Sequence, residues 1–394
     1  MEEKFIPLSV PNIKGNEIKY VTEALEAEWV STGGAMINRF EQDIAEYVHA
    51  DGAVACQSGT AGIHMALRYL GAGAGDAVIV PALTFIAAVN PVRYEGAEPV
   101  FMDCDDSLCM DPVKLKEFFA GECEKKPDGA VYHTRSGKRI KAIVVVHIFG
   151  NMADMESITD IAAEYGVPVV EDATEALGTY YTEGRYKGRF AGTIGDIGVY
   201  SFNGNKIITT GGGGMVVSND KAALEKIRYL STQAKDDAAN FIHNDIGYNY
   251  RMTNIQAAVG VAQLERLEEF IEIKKRNYLR YKAGLDGTDG VKLLGFRPDI
   301  RTNHWFYSVY LQNGTCKERQ ALIDGLAKRG IQSRPIWGLI PDQKPYAGSL
   351  EYRLEVCRKY YERVVNIPCS TNLSEADVDR VLDVLKELLR QNYD

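Results

Sequence analysis

Paired cysteines are missing from this 394-residue chain. Its seven cysteines, at positions 56, 104, 109, 123, 316, 357 and 369, are odd in number and none stands in C-x-x-C spacing. Neither a disulfide framework nor a tetrahedral zinc site is therefore indicated. Reduced, mostly buried thiols in a cytoplasmic protein are expected instead. The six histidines contain no H-x-x-x-H pair, so no metal is expected. An excess of basic residues is also missing: 45 Lys and Arg against 54 Asp and Glu leave a net charge of −9. That balance argues against nucleic acid or an anionic membrane as a partner. The longest apolar run, near Ala142 to Gly150, falls far short of the ~20 residues of a membrane helix. Met1-Glu2-Glu3-Lys4-Phe5-Ile6-Pro7 has no apolar core of a signal peptide. Repeats and low-complexity tracts are lacking too. With 45% hydrophobic and 25% charged residues, the composition is that of a soluble globular protein. Its length suits two or three domains of ~150 residues and can enclose a water-excluded site.

From Ala53 to about Ser218 one rhythm repeats: a short apolar run, turn residues, then a helical period. The expected strands are Ala53–Cys56, Ala77–Val80, Pro99–Met102, Ile143–His147, Pro168–Val170, Ile197–Ser201 and Met215–Val217. Several are apolar on both faces, as covered parallel strands are, and helical periods such as Gly62–Leu70 and Met155–Tyr165 lie between them. This predicts an α/β fold with a large, mostly parallel sheet, whose ligands bind beyond the carboxyl ends of the strands. Glu122–Lys141, with its Pro127-Asp128-Gly129 and Ser136-Gly137-Lys138 turns, reads as an inserted surface hairpin. The expected organisation is a large α/β domain over 1–253 with an N-terminal segment, a long connecting helix over 254–285, and a smaller C-terminal α+β domain over 286–394. In that last part a strand is expected at Trp305–Leu311, a helix at Lys317–Arg329, and a final helix opened by a capping box at Ser374-Glu375-Ala376-Asp377.

Two glycine-rich segments are set aside. Gly71-Ala72-Gly73-Ala74-Gly75-Asp76 follows a helix and precedes a strand, the reverse of the dinucleotide-binding order, which disfavours a nicotinamide oxidoreductase. Gly211 to Gly214 precedes a strand and has no following Lys-Ser/Thr, so it is not a P-loop. Ser58-Gly59-Thr60-Ala61-Gly62 differs, because it follows one strand and opens a helix; its amides and the helix dipole suit a single phosphate. Glu171-Asp172 ends an apolar strand, and Lys206 stands just past Tyr200-Ser201-Phe202. Pyridoxal phosphate needs such a trio: a lysine for the Schiff base, an acid for the pyridine nitrogen and a phosphate pocket.

The chain resembles the DegT/DnrJ/EryC1/StrS family of sugar-nucleotide aminotransferases over essentially its full length. The resemblance is carried by Trp29-Val30-Ser31-Thr32-Gly33-Gly34, Ser58-Gly59-Thr60, Pro81-Ala82-Leu83-Thr84-Phe85, Glu171-Asp172-Ala173, Ser201-Phe202 with Lys206, Thr210 to Gly214, and Gly247-Tyr248-Asn249-Tyr250-Arg251-Met252. Within the family it most resembles the LegC-type branch of legionaminic acid biosynthesis, through Ile6 to Asn12, Phe101 to Asp106, and the inserted hairpin running into Val146 to Asn151. The resemblance implies a type I pyridoxal phosphate-dependent transferase fold and pyridoxal 5′-phosphate as cofactor. It implies Lys206 as the Schiff-base lysine and proton carrier, Asp172 beside the pyridinium nitrogen, and Phe85 on the ring. Gly59, Thr60, Ala61 and Ser201 would hold the phosphate, with Asn249 reaching it from a second subunit of a homodimer with shared active sites. Thr32, Arg251 and His304 are implied or candidate substrate contacts.

Two departures from the family pattern stand out. Glu175 occupies a position commonly Gln, near the cofactor's phenolic oxygen, so its carboxyl is expected to be protonated or turned away. Gly212 stands where the family frequently has Glu. His147 is expected to be structural, and Trp305 to pack in the core or line the sugar pocket. The activity implied is transfer of the amino group of L-glutamate to C4 of a nucleotide-linked 4-keto-6-deoxy-N-acetylhexosamine. A sugar dehydratase is disfavoured because Lys206 is retained, and a silent regulatory homologue because both Lys206 and Asp172 are.

Overall fold

The apolar runs of the first half become seven strands of one sheet: β1 (Gly52–Cys56), β2 (Asp76–Pro81), β3 (Glu98–Met102), β4 (Arg139–Val146), β5 (Val169–Asp172), β6 (Ile197–Ser201) and β7 (Gly214–Ser218). In this computed structural model, which describes residues 4–391, they lie in the order β1-β7-β6-β5-β4-β2-β3. Met1 to Glu3, the start of the segment read for a leader, lie outside the described residues. Leu350–Tyr352, from the last part of the chain, adds an outer strand parallel to β3. All neighbours are parallel except β7, which is antiparallel to both β1 and β6. Successive residues such as Val78, Ile79 and Val80 are all buried, so both faces of the sheet are covered. This is the α/β, mostly parallel architecture that the sequence predicts.

Helices α1 (Glu17–Glu26) and α2 (Ala35–Val48) precede β1, and α3 (Gly59–Tyr69) follows it and opens at the site. The Ser58 side chain caps α3 by accepting the Ala61 N–H at 3.1 Å. Gly62 lets α3 lie close on the sheet, since a Cβ there would stand 2.7 Å from Val199 Cγ1. Cys123–Lys125 and Val131–His133 pair antiparallel, forming the predicted inserted hairpin.

The helical stretch 254–285 is not one helix. It divides into α4 (Asn254–Leu264) and α5 (Leu267–Leu285), with Arg266 leaving helical geometry at φ −112°, ψ 5°. Beyond it, four antiparallel strands form a small sheet in the order Val291–Leu293, Tyr307–Leu311, Val364–Ile367, Arg334–Pro335. Ser374 and Asp377 cap the last helix reciprocally, Ser374 N–H to Asp377 Oδ2 at 3.0 Å and Asp377 N–H to Ser374 Oγ at 3.2 Å. The chain's beginning is tied to this later part: Ile6 exchanges backbone hydrogen bonds with Gly330 and Gln332 at 2.8 and 2.9 Å. Among the described residues no helix is long and apolar enough to cross a membrane.

Candidate active site

Two neighbouring carboxylates close β5, and the strand's alternation sends them to different tasks. Glu171 is fully buried and fully engaged. It accepts from His147 Nε2 at 2.8 Å and from the amides of Gly192, Ile194 and Gly195 at 2.9, 2.6 and 2.5 Å. His147 Nδ1 accepts the Ala153 N–H at 3.2 Å, so its Nε2 bears the hydrogen given to Glu171. Burial opposes the charge on Glu171, but His147 and these amides outweigh it and hold the carboxyl below its ordinary value. His147 is thus structural, as predicted.

Asp172, also buried, lines a cavity of about 240 Å³ at the carboxyl ends of the strands. Its Oδ1 accepts the Thr174 N–H at 3.0 Å. Burial raises its pKa, against the pull of Thr174, Lys206 and His147. A cation placed against it would stabilise its charged form.

Gly59 and Thr60, at the start of α3, line the same cavity together with Ser201 at the end of β6. First-turn amides have no partner within their helix and point at whatever occupies the cavity. Gly59 is required by space: a Cβ would lie 2.8 Å from Thr174 Cγ2 and 3.1 Å from Ser201 Cβ. Ala61 corrects its prediction, because its N–H is taken by the Ser58 cap and the residue is absent from the cavity lining. Phe85, which follows β2, is 54% exposed at the cavity, an apolar ring face available for stacking.

Lys206 reaches the cavity from the loop after β6. Its Nζ is 3.8 Å from Glu175 Oε1 and 4.3 Å from the centre of the Trp305 ring. Trp305 fixes this loop by donating its indole N–H to the Asn205 carbonyl at 2.8 Å. Burial lowers the lysine pKa, resisted by Glu175 and Asp172. Glu175 is not turned away: it is buried, and its Oε2 accepts the Phe149 N–H at 2.7 Å. Burial pushes its carboxyl up to about 7, offset by Lys206 and the Phe149 amide and reinforced by Asp172. Phe149 directs that amide from a left-handed conformation (φ 58°, ψ 18°).

Lys206, Asp172, Glu175, Gly59, Thr60, Ser201 and Phe85 therefore share one cavity. Four other candidates, Arg251, His304, Thr32 and Asn249, do not line it. Arg251 is buried and pairs with Glu41, also donating to the Ala55 carbonyl at 3.1 Å; this core role replaces the expected substrate contact. His304 is likewise corrected: its ring stacks on Tyr278 at 4.9 Å, and burial, with Lys275, Lys274 and Arg301, pushes its pKa down to about 3. Thr32 is exposed on the turn that Asn254 pins by bonding the Trp29 and Ser31 carbonyls. Asn249 is exposed, with its backbone bridged to Thr232. The cavity also draws on Gln57, Thr174 and Asn203, to which the sequence reading gave no role, and on Thr84, Gly212 and Gly213, which it noted only as parts of family motifs. Position after a strand or within a glycine run was the available signal for all of them.

Known proteins identify the family of this chain. The model of the DegT/DnrJ/EryC1/StrS aminotransferase family matches residues 11–386, and the chain belongs to that family. EpsN of Bacillus subtilis (strain 168), provisionally named a pyridoxal phosphate-dependent aminotransferase, is 40% identical over 390 residues, covering 98% of this chain and 96% of that one. GDP-perosamine synthase of Caulobacter vibrioides is 37% identical over 387 residues, covering 98% of each. The solved structure of the aminotransferase TlmJ from Streptoalloteichus hindustanus superposes with a TM-score of 0.88 at 27% identity, over 98% of this chain and 100% of that one. The chain is a pyridoxal phosphate-dependent sugar aminotransferase. The residues present fit the cofactor: a glycine-lined helix start for its phosphate, a buried acid, a lysine and an exposed aromatic ring share one cavity.

Proposed function

We propose that this member of the family transfers the amino group of L-glutamate to C4 of a nucleotide-linked 4-keto-6-deoxy sugar, in the cytoplasm, as a homodimer with shared active sites. The observation that carries the reading is the joint placement of Lys206, Asp172 and the α3 start around one cavity. Bound pyridoxal phosphate supplies an electron sink and a carrier for the amino group. This chain's residues do the rest. Gly59, Thr60 and Ser201 hold the phosphate and Phe85 covers the ring. Asp172, charged once a cation faces it, keeps the pyridine nitrogen protonated. Lys206, with its pKa lowered by burial, takes and returns the proton at the substrate carbon.

The sugar is an N-acetylhexosamine if the LegC-type likeness holds. A GDP-linked sugar is the second reading, favoured by the GDP-perosamine synthases among the relatives at 37% and 35% identity. For the dimer, Asn249 is assigned to the partner's phosphate site. It is exposed, as are the large apolar side chains of Ile18, Trp29, Phe241 and Ile246, at 80%, 63%, 75% and 73%.

The test is the visible absorption of the loaded protein before and after L-glutamate, then turnover with UDP- and GDP-linked 4-keto-6-deoxy sugars. Conversion of the lysine-linked band to the amine-form band, followed by product with one sugar class, is expected. A band unmoved by glutamate would overturn the donor, and product from neither class would overturn the sugar.

A further inference from the structure

Helix α3 serves two structures along its length. Its first turn lines the cavity, as Gly59, Thr60 and Ile63. His64, the next residue, does not line it and is 5% exposed. His64 Nε2 lies 2.8 Å from Glu95 Oε1, and its Nδ1 lies 3.2 Å from the Tyr250 hydroxyl. The Tyr248 hydroxyl reaches the same Glu95 oxygen at 3.4 Å. The rings of Tyr248 and Tyr250 stack 4.9 Å apart at 13°, with the His64 ring 4.8 Å from that of Tyr248. Main-chain bonds hold the same segment. Tyr248 and Tyr250 donate to the Leu230 and Ser231 carbonyls at 2.7 and 3.1 Å, and Gln57 donates to the Tyr250 carbonyl at 2.8 Å. Both tyrosines are thus anchored by ring, hydroxyl and backbone. The residue between them, Asn249, is left exposed.

An exposed asparagine held between two clamped aromatic residues is pre-ordered for a contact outside its own chain, since its backbone loses little further freedom on binding. We propose that His64 is a positioning residue for the partner's active site: through Tyr248 and Tyr250 it sets the reach of Asn249 to the cofactor phosphate held by a second copy of this chain. The proposal rests on the reading of Asn249 given above. The competing role is local: His64 could instead steady the start of α3, and so its own chain's phosphate site.

Mixed dimers separate the two roles. Pyridoxal phosphate affinity is titrated on the lysine-linked absorption band of dimers in which Lys206→Ala silences one subunit, so that only the other subunit's pocket reports. With His64→Ala on the silenced subunit, the reporting pocket has its own His64 but receives Asn249 from the altered chain. Its affinity is expected to fall about tenfold, the scale of one lost hydrogen bond to a charged group. With His64→Ala on the reporting subunit instead, affinity is expected to stay within about twofold. The reverse pattern, or equal losses in both, would overturn the proposal. Tyr250→Phe guards against a folding artefact, because it keeps the stacked ring and removes only the hydroxyl. On the silenced subunit it should weaken binding about threefold, in the same direction. Asn249→Ala on the silenced subunit tests the underlying reading by itself. No loss there would remove the shared site altogether, whereas loss there without loss from His64→Ala would overturn only the role given to His64.

Discussion

Glu175 shows how one side chain's environment fixes where its proton sits. The Phe149 N–H requires an acceptor, so a neutral Glu175 carries its proton on Oε1, the oxygen that faces Lys206. Its carboxyl, ordinarily at 4.5, is raised to about 7 in the fold, so the folded chain binds this proton more tightly than the unfolded one. The stability it contributes is present below pH 4.5 and is lost as the pH rises through about 7. Glu175→Gln removes that dependence. Relative to the unaltered protein, the variant should gain about 3 kcal/mol between those limits, at ~1.36 kcal/mol per unit. Urea midpoints measured across the range should diverge, and parallel curves would contradict the assignment. Arg251 gives the opposite kind of prediction. Arg251→Met leaves Glu41 short of a buried partner and should cost about 2–4 kcal/mol in urea unfolding with the sugar KM unchanged. A raised KM with unchanged stability would restore the substrate role. Lys206, Asp172, Ser201 and Gly59 were legible in the sequence because each stands just beyond an apolar run, where a parallel sheet builds its sites. Arg251 and His304 were not. The partners that bury them, Glu41 and Tyr278, lie far away in sequence or on another element, whereas a family motif for Arg251 and a place at a strand start for His304 suggested a ligand contact.

At the scale of elements, caps were easier to read than breaks. The Ser374–Asp377 box is visible as a tetrapeptide and forms as expected. The division between α4 and α5 has no proline or glycine to announce it. It follows from packing, because α4 lies against α1 and α2 whereas α5 lies against the last helix, where a Cβ on Gly284 would stand 2.4 Å from Leu382 Cδ1. The α4 cap also reaches the site. Thr253 and Gln256 form a reciprocal box, and Gln256 Nε2 donates to the Gly212 carbonyl at 2.6 Å, steadying the glycine run that lines the cavity. Gln256→Ala should therefore lower stability by about 1 kcal/mol and also weaken cofactor binding. Paired denaturant and cofactor titrations would check this, and a loss of stability with unchanged affinity would confine the residue to capping.

At the scale of the whole molecule, the shared-site reading makes a simple demand. Lys206→Ala and Asn249→Ala should each impair the homodimer, yet mixed in equal amounts they should recover activity. Half the dimers are then heterodimers, and each holds one pocket with both residues, so about a quarter of full activity is expected. Mixtures no more active than their components would argue against delivery of Asn249 across the interface. The architecture was legible as alternating strands and helices. The return of Leu350–Tyr352 to the large sheet was not, since so short a segment carries no periodicity of its own. That return has a consequence during synthesis. Strands β1 to β7 leave the ribosome while β3 still lacks its outer neighbour, and translation from Ser218 to Leu350 takes on the order of 10 s at ~5–20 residues per second. For that interval the nascent sheet offers a bare, apolar edge to other growing chains, which is a template for aggregation. Slow translation or early truncation ahead of Leu350 should therefore send this protein to chaperones or inclusion bodies, even though Lys206 and Asp172 have already been made.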